Sequence, residues 1–376
     1  MIINENTRNK LLSFDETQDT YTQFEEKCKF LSNLTGFKID PISYKIQYGI
    51  HEKSLDEYVS LQTELYEFLH SKYPNVEFSM SGRLKTEFSH YEKVIRKLIN
   101  LIQKDELNSV QIFDDYAMKV NVRSVSYDVD KISVDDDGVY IDSGADQFRI
   151  VEPMTLPPEY AKRNKLVTDA FEFDYNGKLI TAIVYEGQKN IVIDNNVPYI
   201  YTSIDGKGVK FPLNSAKKYI KSFKDDLIPY CQSIQEDVSA FLNNKGFQTK
   251  KRKDYIKAPK KSGYMSIQCS YYSEEESLGI ECQTRTYDMD LFSNWERKVY
   301  KPAEKKISLS SLDRIPQYVY TTAFPDGVHS LKLNEAECFE LIYNMSLKEY
   351  RKKIHPFISP KATSNRLSKE EEEPVI

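Results

Sequence analysis

Residues 279–290 read GIECQTRTYDMD, and they combine a strand-like pattern with an unusual set of polar side chains. Glu281, Gln283 and Arg285 alternate with Ile280, Cys282 and Thr284. Because side chains alternate between the two faces of a strand, this pattern predicts an acid, an amide and a guanidinium side by side on one face. Taken alone, the pattern is compatible with a solvated sheet face and with the floor of a binding site.

The composition is that of a water-soluble protein of one to three domains. Of the 376 residues, 29% are charged and 40% are apolar, and the net charge of −5 argues against non-specific coating of nucleic acid. The five cysteines are far apart and form no CxxC pair, which excludes the usual zinc spacings and a disulfide framework. There is no run of 18 apolar residues and no apolar signal segment, so we expect a cytoplasmic protein with no membrane partner.

The first part of the chain predicts helices around one strand. Residues 1–75 form a predicted helical region, in which apolar side chains recur at helical spacing after the capping-box pattern that begins at Ser54. A short strand over 76–82 and a helix over 89–102 are predicted next.

The second part changes character twice. Residues 126–225 are short β runs separated by Asn, Asp and Gly turns, which predicts an inserted β-rich domain. A helix near 227–246, a basic loop, two strands and a helix near 290–301 are expected after it. The remaining predicted parts are a C-terminal helical extension over 306–355 and a disordered tail over 356–376.

Two polar patches precede the predicted insertion. Residues 81–93, SGRLKTEFSHYEK, place cations and a hydroxyl near the start of a helix, where free backbone N–H groups also favour phosphate oxygens. Residues 112–120, IFDDYAMKV, place Asp114 and Asp115 at the edge of a strand, where one carboxylate suits Mg²⁺. A charged helix start and ordinary surface acids are the alternative interpretations.

A third patch, residues 250–268, reads KKRKDYIKAPKKSGYMSIQ. Seven of the twelve residues from Lys250 to Lys261 are basic, and Gly263 gives backbone freedom beside Tyr264. Cations next to an aromatic ring are typical of a site for a nucleotide or an RNA end. A solvated charge run with a turn is the alternative.

Together with the strand over 280–286, these patches occur in the order found in the synthetase domain of the RelA/SpoT-like alarmone synthetases. The family patterns G-R-x-K-x-x-x-S-x-x-x-K, I-x-D-x-x-A-x-R, D-Y-I-x-x-P-K-x-N-G-Y-x-S-x-H and E-x-Q-x-R-T resemble residues 82–93, 112–119, 254–268 and 281–286, apart from positions 119, 262 and 268. The resemblance implies a synthetase domain split over 76–125 and 226–305. It also implies an α+β fold with a nucleotidyltransferase-like mixed sheet flanked by helices.

The same resemblance implies an activity and a role for each matched residue. Such enzymes, of the GTP diphosphokinase type, move the β,γ-pyrophosphate of ATP to the ribose 3′-hydroxyl of GDP or GTP, with Mg²⁺ as cofactor. Asp114 and Glu281 would be the catalytic acids and the metal ligands. The implied ATP-binding residues are Arg83, Lys85, Ser89, Lys93 and Lys119, and the implied acceptor-binding residues are Lys253, Lys260, Tyr264, Ser266, Gln268, Gln283 and Arg285.

Several departures from the family pattern keep other functions open. Lys119 replaces an arginine and so loses a planar stacking partner for adenine, while Ser262 and Gln268 replace an asparagine and a histidine. One alternative is a toxin-like relative that pyrophosphorylates tRNA 3′ ends or adenine nucleotides, as the basic run over 250–253 favours. Another is an inactive nucleotide-binding sensor. A homo-oligomer or a regulatory partner bound through the β insertion is also left open.

Overall fold

The computed structural model describes a set of ranges that covers most of the chain up to residue 295. These are residues 3–15, 18–44, 48–85, 87–106, 110, 112–136, 138–144, 146–150, 167–185, 191–222, 224–260, 262–275, 278–295 and 318–321. The predicted tail over 356–376 and almost all of the predicted extension over 306–355 lie outside the described residues.

Six helices and two short 3₁₀ turns are found in the described residues. The helices are α1 (Glu5–Leu12), α2 (Thr20–Thr35), α3 (Tyr48–Lys72), α4 (Glu87–Gln103), α5 (Lys224–Asn244) and α6 (Tyr287–Trp295), and the turns are Pro41–Tyr44 and Leu213–Ser215. The helices predicted over 1–75, 89–102 and 227–246 are therefore confirmed. None of the helices in these ranges is both long enough and apolar enough to span a bilayer.

The strands fall into one large sheet and two small ones. The large sheet contains β1 (Val76–Leu84), β2 (Tyr116–Asp128), β6 (Val167–Tyr175), β7 (Lys178–Tyr185), β11 (Lys218–Lys221), β12 (Gln248–Asp254), β13 (Ile267–Ser273), β14 (Leu278–Thr286) and β15 (Tyr318–Thr321). One small sheet is formed by β3 (Lys131–Asp135), β4 (Gly138–Ser143) and β5 (Asp146–Ile150), and the other by β8 (Ile191–Asp194), β9 (Val197–Ile204) and β10 (Lys207–Pro212).

The large sheet is mixed, and β2 is its central strand. Its order is β12-β13-β14-β2-β11-β6-β7, while β1 pairs with β2 and with β15. The pairing of β14 with β2 is parallel, whereas the other pairings are antiparallel. With helices packed against it, this sheet confirms the predicted α+β class with a mixed sheet.

One face of the large sheet is apolar and forms a core with two helices. Buried residues of β1, β2, β13 and β14 pack there against α3 and α5. Burial of this apolar surface is the dominant stabilising contribution, at about 25 cal/mol per Å². The core side chains include Tyr58, Leu65, Phe78, Met80, Met118, Val120, Ile234, Val238, Ile267, Ile280 and Cys282.

A second core joins α4 to the N-terminal helices. In it the ring of Phe24 on α2 stacks on that of Tyr91 on α4, with 4.3 Å between the ring centroids. The side chains of α4 that share this core follow helical spacing, which is why the sequence predicts this helix clearly. They are Tyr91, Val94, Ile95, Leu98, Ile99 and Ile102.

The residues over 126–225 form β structure, as predicted, but some of their strands belong to the large sheet. β6, β7 and β11 extend that sheet, and β11 pairs with the end of β2. A third core, which includes Ile141, Phe171, Phe173 and Tyr219, joins these strands to the small sheets. The division of the chain into domains remains a prediction.

The prediction of a basic loop after α5 is wrong for the first part of that segment. Residues 248–254 form β12, an outer strand that pairs with β13. Almost every side chain of β12 is exposed, so the strand carries no apolar–polar alternation that would reveal it in the sequence.

Candidate functional site

The second face of the large sheet carries polar side chains from four strands. Strand register places them together, because residues paired across two strands point to the same face. Gln283 pairs with Lys119 on one side and with Gln268 on the other, and Lys119 also pairs with Ser81. We call this surface the polar face; its residues are Ser79, Ser81, Arg83, Lys119, Asn121, Gln268, Ser270, Glu281, Gln283 and Arg285.

The three polar residues predicted on one side of β14 are linked by hydrogen bonds. The Arg285 Nη2 donates to Gln283 Oε1 at 2.9 Å, and Gln283 Nε2 donates to Glu281 Oε1 at 2.6 Å. On the other side of the strand, Thr284 donates to Gln235 of α5 in the apolar core. The alternating pattern of β14 therefore corresponds to a buried face and a hydrogen-bonded polar row.

Asp114 lies just before β2 and pairs with two lysines of the first patch. Lys85 Nζ is 2.5 Å from Asp114 Oδ1, and Lys93 on α4 donates to Asp114 Oδ2. Burial by itself would raise the pKa of the Asp114 carboxyl, but the charges of Lys85 and Lys93 outweigh it and lower that pKa well below its ordinary value. The carboxylate is therefore ionised throughout the neutral range.

The segment that carries Asp114 is held from two sides. Gly279 at the start of β14 lies against it, since a Cβ on Gly279 would be 2.9 Å from Phe113 Cα. On the other side, the buried His90 of α4 places Nδ1 2.8 Å from Asp115 Oδ1 and Nε2 3.1 Å from the Tyr44 carbonyl oxygen. The His90 ring therefore connects α4 to Asp115 and to the Tyr44 backbone.

Parallel pairing brings the two predicted metal ligands to the same end of adjacent strands. Glu281 is level with Ala117 of β2, three residues after Asp114. Among the described residues there is no cluster of three or more His, Cys, Asp or Glu side chains that could enclose a metal. Two carboxylates fit Mg²⁺ nevertheless, because this ion commonly uses one or two carboxylates together with water and substrate phosphates.

A buried ionic cluster lies further along the polar face, and Asp290 of α6 is its centre. Asp290 accepts from Lys119 Nζ at 3.0 Å and from Asn121 Nδ2 at 3.1 Å, and Arg285 Nε lies 3.2 Å away. Burial lowers the pKa of Lys119, while Asp290 opposes this shift and the charges of Arg285 and Arg83 add to it. The Asp290 pKa is itself lowered, since Arg285 and Lys119 outweigh its burial.

Tyr264 is buried, and both its ring and its hydroxyl have partners. Lys260 Nζ lies over the ring, 4.1 Å from its centroid. The hydroxyl accepts from Ser266 Oγ at 2.9 Å and from Gln268 Nε2 at 2.7 Å. Gly263 has a φ of +87°, which confirms the backbone freedom expected there.

The predicted site residues form two groups and a few separate positions. Lys85 and Lys93 gather at Asp114, while Ser266, Gln268, Gln283 and Arg285 gather around Tyr264 and lead to Glu281. Arg83 and Lys119 lie on the polar face, Ser89 is in the first turn of α4, and Lys253 is exposed on β12 opposite Gln268.

Sequence reasoning missed several residues of this site. Asp290 stands within the quoted stretch, yet its partner Lys119 is 171 residues away. Asn121 and His90 were not assigned, and the pairing of Asp115 with His90 was not foreseen, because no local pattern reveals which distant side chain each one meets. Gly279 had a usable signal, since a glycine inside a strand pattern often marks a close backbone approach.

Comparison with known proteins identifies part of the chain. Residues 226–305 match the family described as "Region found in RelA / SpoT proteins". These residues include α5, β12, β13, β14 and α6, and they confirm the resemblance recognised in the sequence for this part. Residues 76–125 lie outside the matched range.

Two further comparisons give less. No curated protein matches the sequence. Among solved structures, the crystal structure of small alarmone synthetase 2 from Bacillus subtilis is similar at 13% identity and a TM-score of 0.31, covering 71% of this chain and 85% of that one.

Proposed function

We propose that this protein moves the β,γ-pyrophosphate of ATP to the ribose 3′-hydroxyl of GDP or GTP and so makes a guanosine alarmone. The observation that carries the proposal is the parallel pairing of β14 with β2, which sets Glu281 beside the strand that Asp114 precedes. Lys85 and Lys93 meet at that carboxylate. β14 itself belongs to the RelA/SpoT region.

Glu281 would act as the base for the acceptor. It would take the proton of the 3′-hydroxyl, whose oxygen forms a bond to the β-phosphorus of ATP while the bond to the α-phosphate breaks and AMP leaves. Gln283 donates a hydrogen bond to one carboxylate oxygen of Glu281. The other oxygen would accept this proton.

Lys85 and Lys93 would bind the ATP phosphates from the side of α4, with Ser89 in the first turn of the same helix. Asp114 and Glu281 would hold Mg²⁺, which when bound neutralises charge on the phosphates. Arg83 and Lys119 extend the cationic surface toward the adenosine. The acceptor would lie on the side of Tyr264, where Lys260 would leave the ring face as a base arrives.

The finer parts of this reading belong to the same proposal. They are the GTP diphosphokinase type of activity, the nucleotidyltransferase-like arrangement of the sheet, Mg²⁺ as the metal, and a cytoplasmic protein with an inserted β-rich domain. The RelA/SpoT-like region and the position of the polar face within the mixed sheet support the activity type, the sheet arrangement and the metal.

A direct test uses purified protein, Mg²⁺, ATP labelled at the γ-phosphate, and GDP, GTP, ATP or tRNA as separate acceptors. The proposal predicts label in a guanosine product carrying a 3′-pyrophosphate, together with an equal amount of AMP. Label on no acceptor would leave a nucleotide-binding sensor as the function. Label on ATP alone would assign the chain to the adenine-nucleotide alternative.

One observation favours tRNA as a second candidate acceptor. β12 is an outer strand with four consecutive basic residues, Lys250 to Lys253, whose side chains are exposed on both faces of the sheet. Such a strand suits a polyphosphate backbone. If tRNA is the acceptor, its binding should weaken steeply with salt, whereas GDP or GTP binding should change much less.

A further inference from the structure

We propose that Asp290 is a positioning residue that orients Glu281 through Arg285 and Gln283. The inference rests on the proposed function, because Glu281 is taken as the base. Asp290 belongs to the first turn of α6, and its side chain is buried against β2 and β14. No part of the sequence resemblance assigned a role to it.

The first contact between Asp290 and Glu281 is the ion pair of Asp290 with Arg285. Arg285 is almost fully buried, with only 2% of its surface exposed, so its position depends on its partners. Its Nε lies 3.2 Å from Asp290 Oδ1 and its Nη2 donates to Gln283 Oε1 at 2.9 Å, so one guanidinium connects Asp290 to Gln283. Lys119 and Asn121 hold the carboxylate from β2, so Asp290 is itself fixed.

The second step is the orientation of the Gln283 amide. A guanidinium donates hydrogen bonds and cannot accept them, so the Gln283 atom that faces Arg285 must be the amide oxygen. The NH₂ group then points the other way and donates to Glu281 Oε1 at 2.6 Å. Arg285, which Asp290 holds in place, thereby helps to determine which group of Gln283 meets the Glu281 carboxylate, and the Tyr264 hydroxyl donates to the same Gln283 oxygen at 3.3 Å.

The third step is the charge balance. One carboxylate compensates both Lys119 and Arg285, and all three side chains are largely removed from water. If Asp290 became neutral, the polar face would gain one net positive charge while Arg285 lost its anchor. A polyphosphate should then bind at least as well, whereas the base should be oriented worse. This opposite effect on binding and turnover distinguishes positioning from simple structural support.

The test compares Asp290→Asn with the matched control Glu64→Gln. Both variants lose one negative charge. Glu64, however, lies on α3, where it forms an exposed ion pair with Lys245. We expect Asp290→Asn to lower kcat by about 10- to 100-fold, an effect of positioning rather than chemistry. Its KM for ATP, and its affinity for a non-hydrolysable ATP analogue, should be unchanged or tighter. Glu64→Gln should match the parent protein in both.

A double-mutant cycle in kcat tests the route through Arg285. Lysine at 285 keeps the charge but cannot reach Asp290 and Gln283 together, so Arg285→Lys should lower kcat at saturating acceptor. If both residues act along one chain of contacts, the double variant should lose little more than either single variant. Losses that multiply, or a normal kcat in folded Asp290→Asn, would overturn the proposal.

The remaining outcomes are also decisive. If Asp290→Asn does not fold, as judged by circular dichroism, a normal kcat in Arg285→Lys overturns the inference and a lowered kcat supports it. If Asp290→Asn weakens ATP binding and turnover equally, Asp290 is only structural. If the parent protein transfers label to no acceptor, the proposed function fails, and this inference fails with it. If the parent protein is active and both variants have a normal kcat, only this inference is overturned and the proposed function stands.

Discussion

Gly279 and Phe113 are in direct backbone contact, since a Cβ built on the glycine would lie 2.9 Å from Phe113 Cα and 3.0 Å from the Ile112 carbonyl oxygen. This contact seats the segment that ends in Asp114 against the start of β14. The two carboxylates of the proposed metal site therefore depend on the absence of a side chain at a residue that itself takes no part in chemistry.

Alanine at 279 should consequently separate the two halves of the site. We expect Gly279→Ala to destabilise the fold by about 1–3 kcal/mol, because the neighbouring atoms are backbone and cannot move aside freely. Turnover should fall by more than the loss of folded protein explains. Gly208→Ala on β10 is the control, since no heavy atom lies within 4 Å of its Cβ position. Urea unfolding and the transfer assay check both; equal behaviour of the two variants would contradict the prediction.

Glu281→Gln should remove the proposed base while leaving the lysines at Asp114 in place. We expect kcat to fall by at least about 100-fold, as for the loss of a general base. ATP binding should stay largely intact, because Lys85 and Lys93 are held by Asp114 and not by the substituted residue. Calorimetry with an ATP analogue separates the two effects. Glu236→Gln, at an exposed position of α5, is the matched control, and a near-normal rate for Glu281→Gln would remove this residue from the mechanism.

Two substitutions at Tyr264 should separate its hydroxyl from its ring. Tyr264→Phe leaves the buried Ser266 and the partly buried Gln268 without their acceptor, so we expect a stability loss of about 1–3 kcal/mol with acceptor affinity nearly unchanged. Tyr264→Ala should also weaken acceptor binding, by about 1–3 kcal/mol if a base stacks on the ring. Thermal unfolding and acceptor titration check the pair. Unchanged acceptor affinity in Tyr264→Ala would mean that the ring only shapes the loop.

The ion pairs at Asp114 should make stability depend on pH in the acid range. The folded-state pKa of Asp114 is lowered, so its contribution is fully present above the unfolded-state pKa of about 3.9 and is lost as pH falls through the folded-state value. At pH 7 we expect Asp114→Asn to be less stable by about 3 kcal/mol, because Lys85 stays buried with only Asp115, 3.9 Å away, to balance its charge. Urea unfolding between pH 7 and pH 3 should show the difference shrinking below about pH 4. A difference that stays constant would exclude the ion pairs as its cause.

Local patterns predicted the elements that have one buried face. α4 and β14 follow helical and strand periodicity because each packs a single face on a core. The hydrogen-bonded row from Glu281 to Arg285 was predicted for the same reason. β12 escaped prediction because it is exposed on both faces and therefore carries no periodic signal.

Contacts between distant residues could not be read from the sequence. The Asp290–Lys119 pair and the His90–Asp115 pair each depend on how separate elements meet in the folded chain. In the same way, nothing local indicates that β6, β7 and β11 join the large sheet while neighbouring strands form small ones. Such contacts decide the electrostatics of the site, so the sequence predicted its residue types better than their partners.

β2 carries the polar face at one end and pairs with β11 of the β-rich segment at the other. The phase between the two ends is set by a β-bulge at Arg123, since Phe78 pairs with Val122 and Glu77 pairs with Ser124, and both Val122 and Val125 belong to the apolar core. Shortened forms of the protein should therefore leave residues 116–128 and 218–221 intact and remove only what lies between them. The thirteen residues of β2 must keep their present register. Otherwise the strand cannot carry the polar face at one end and pair with β11 at the other.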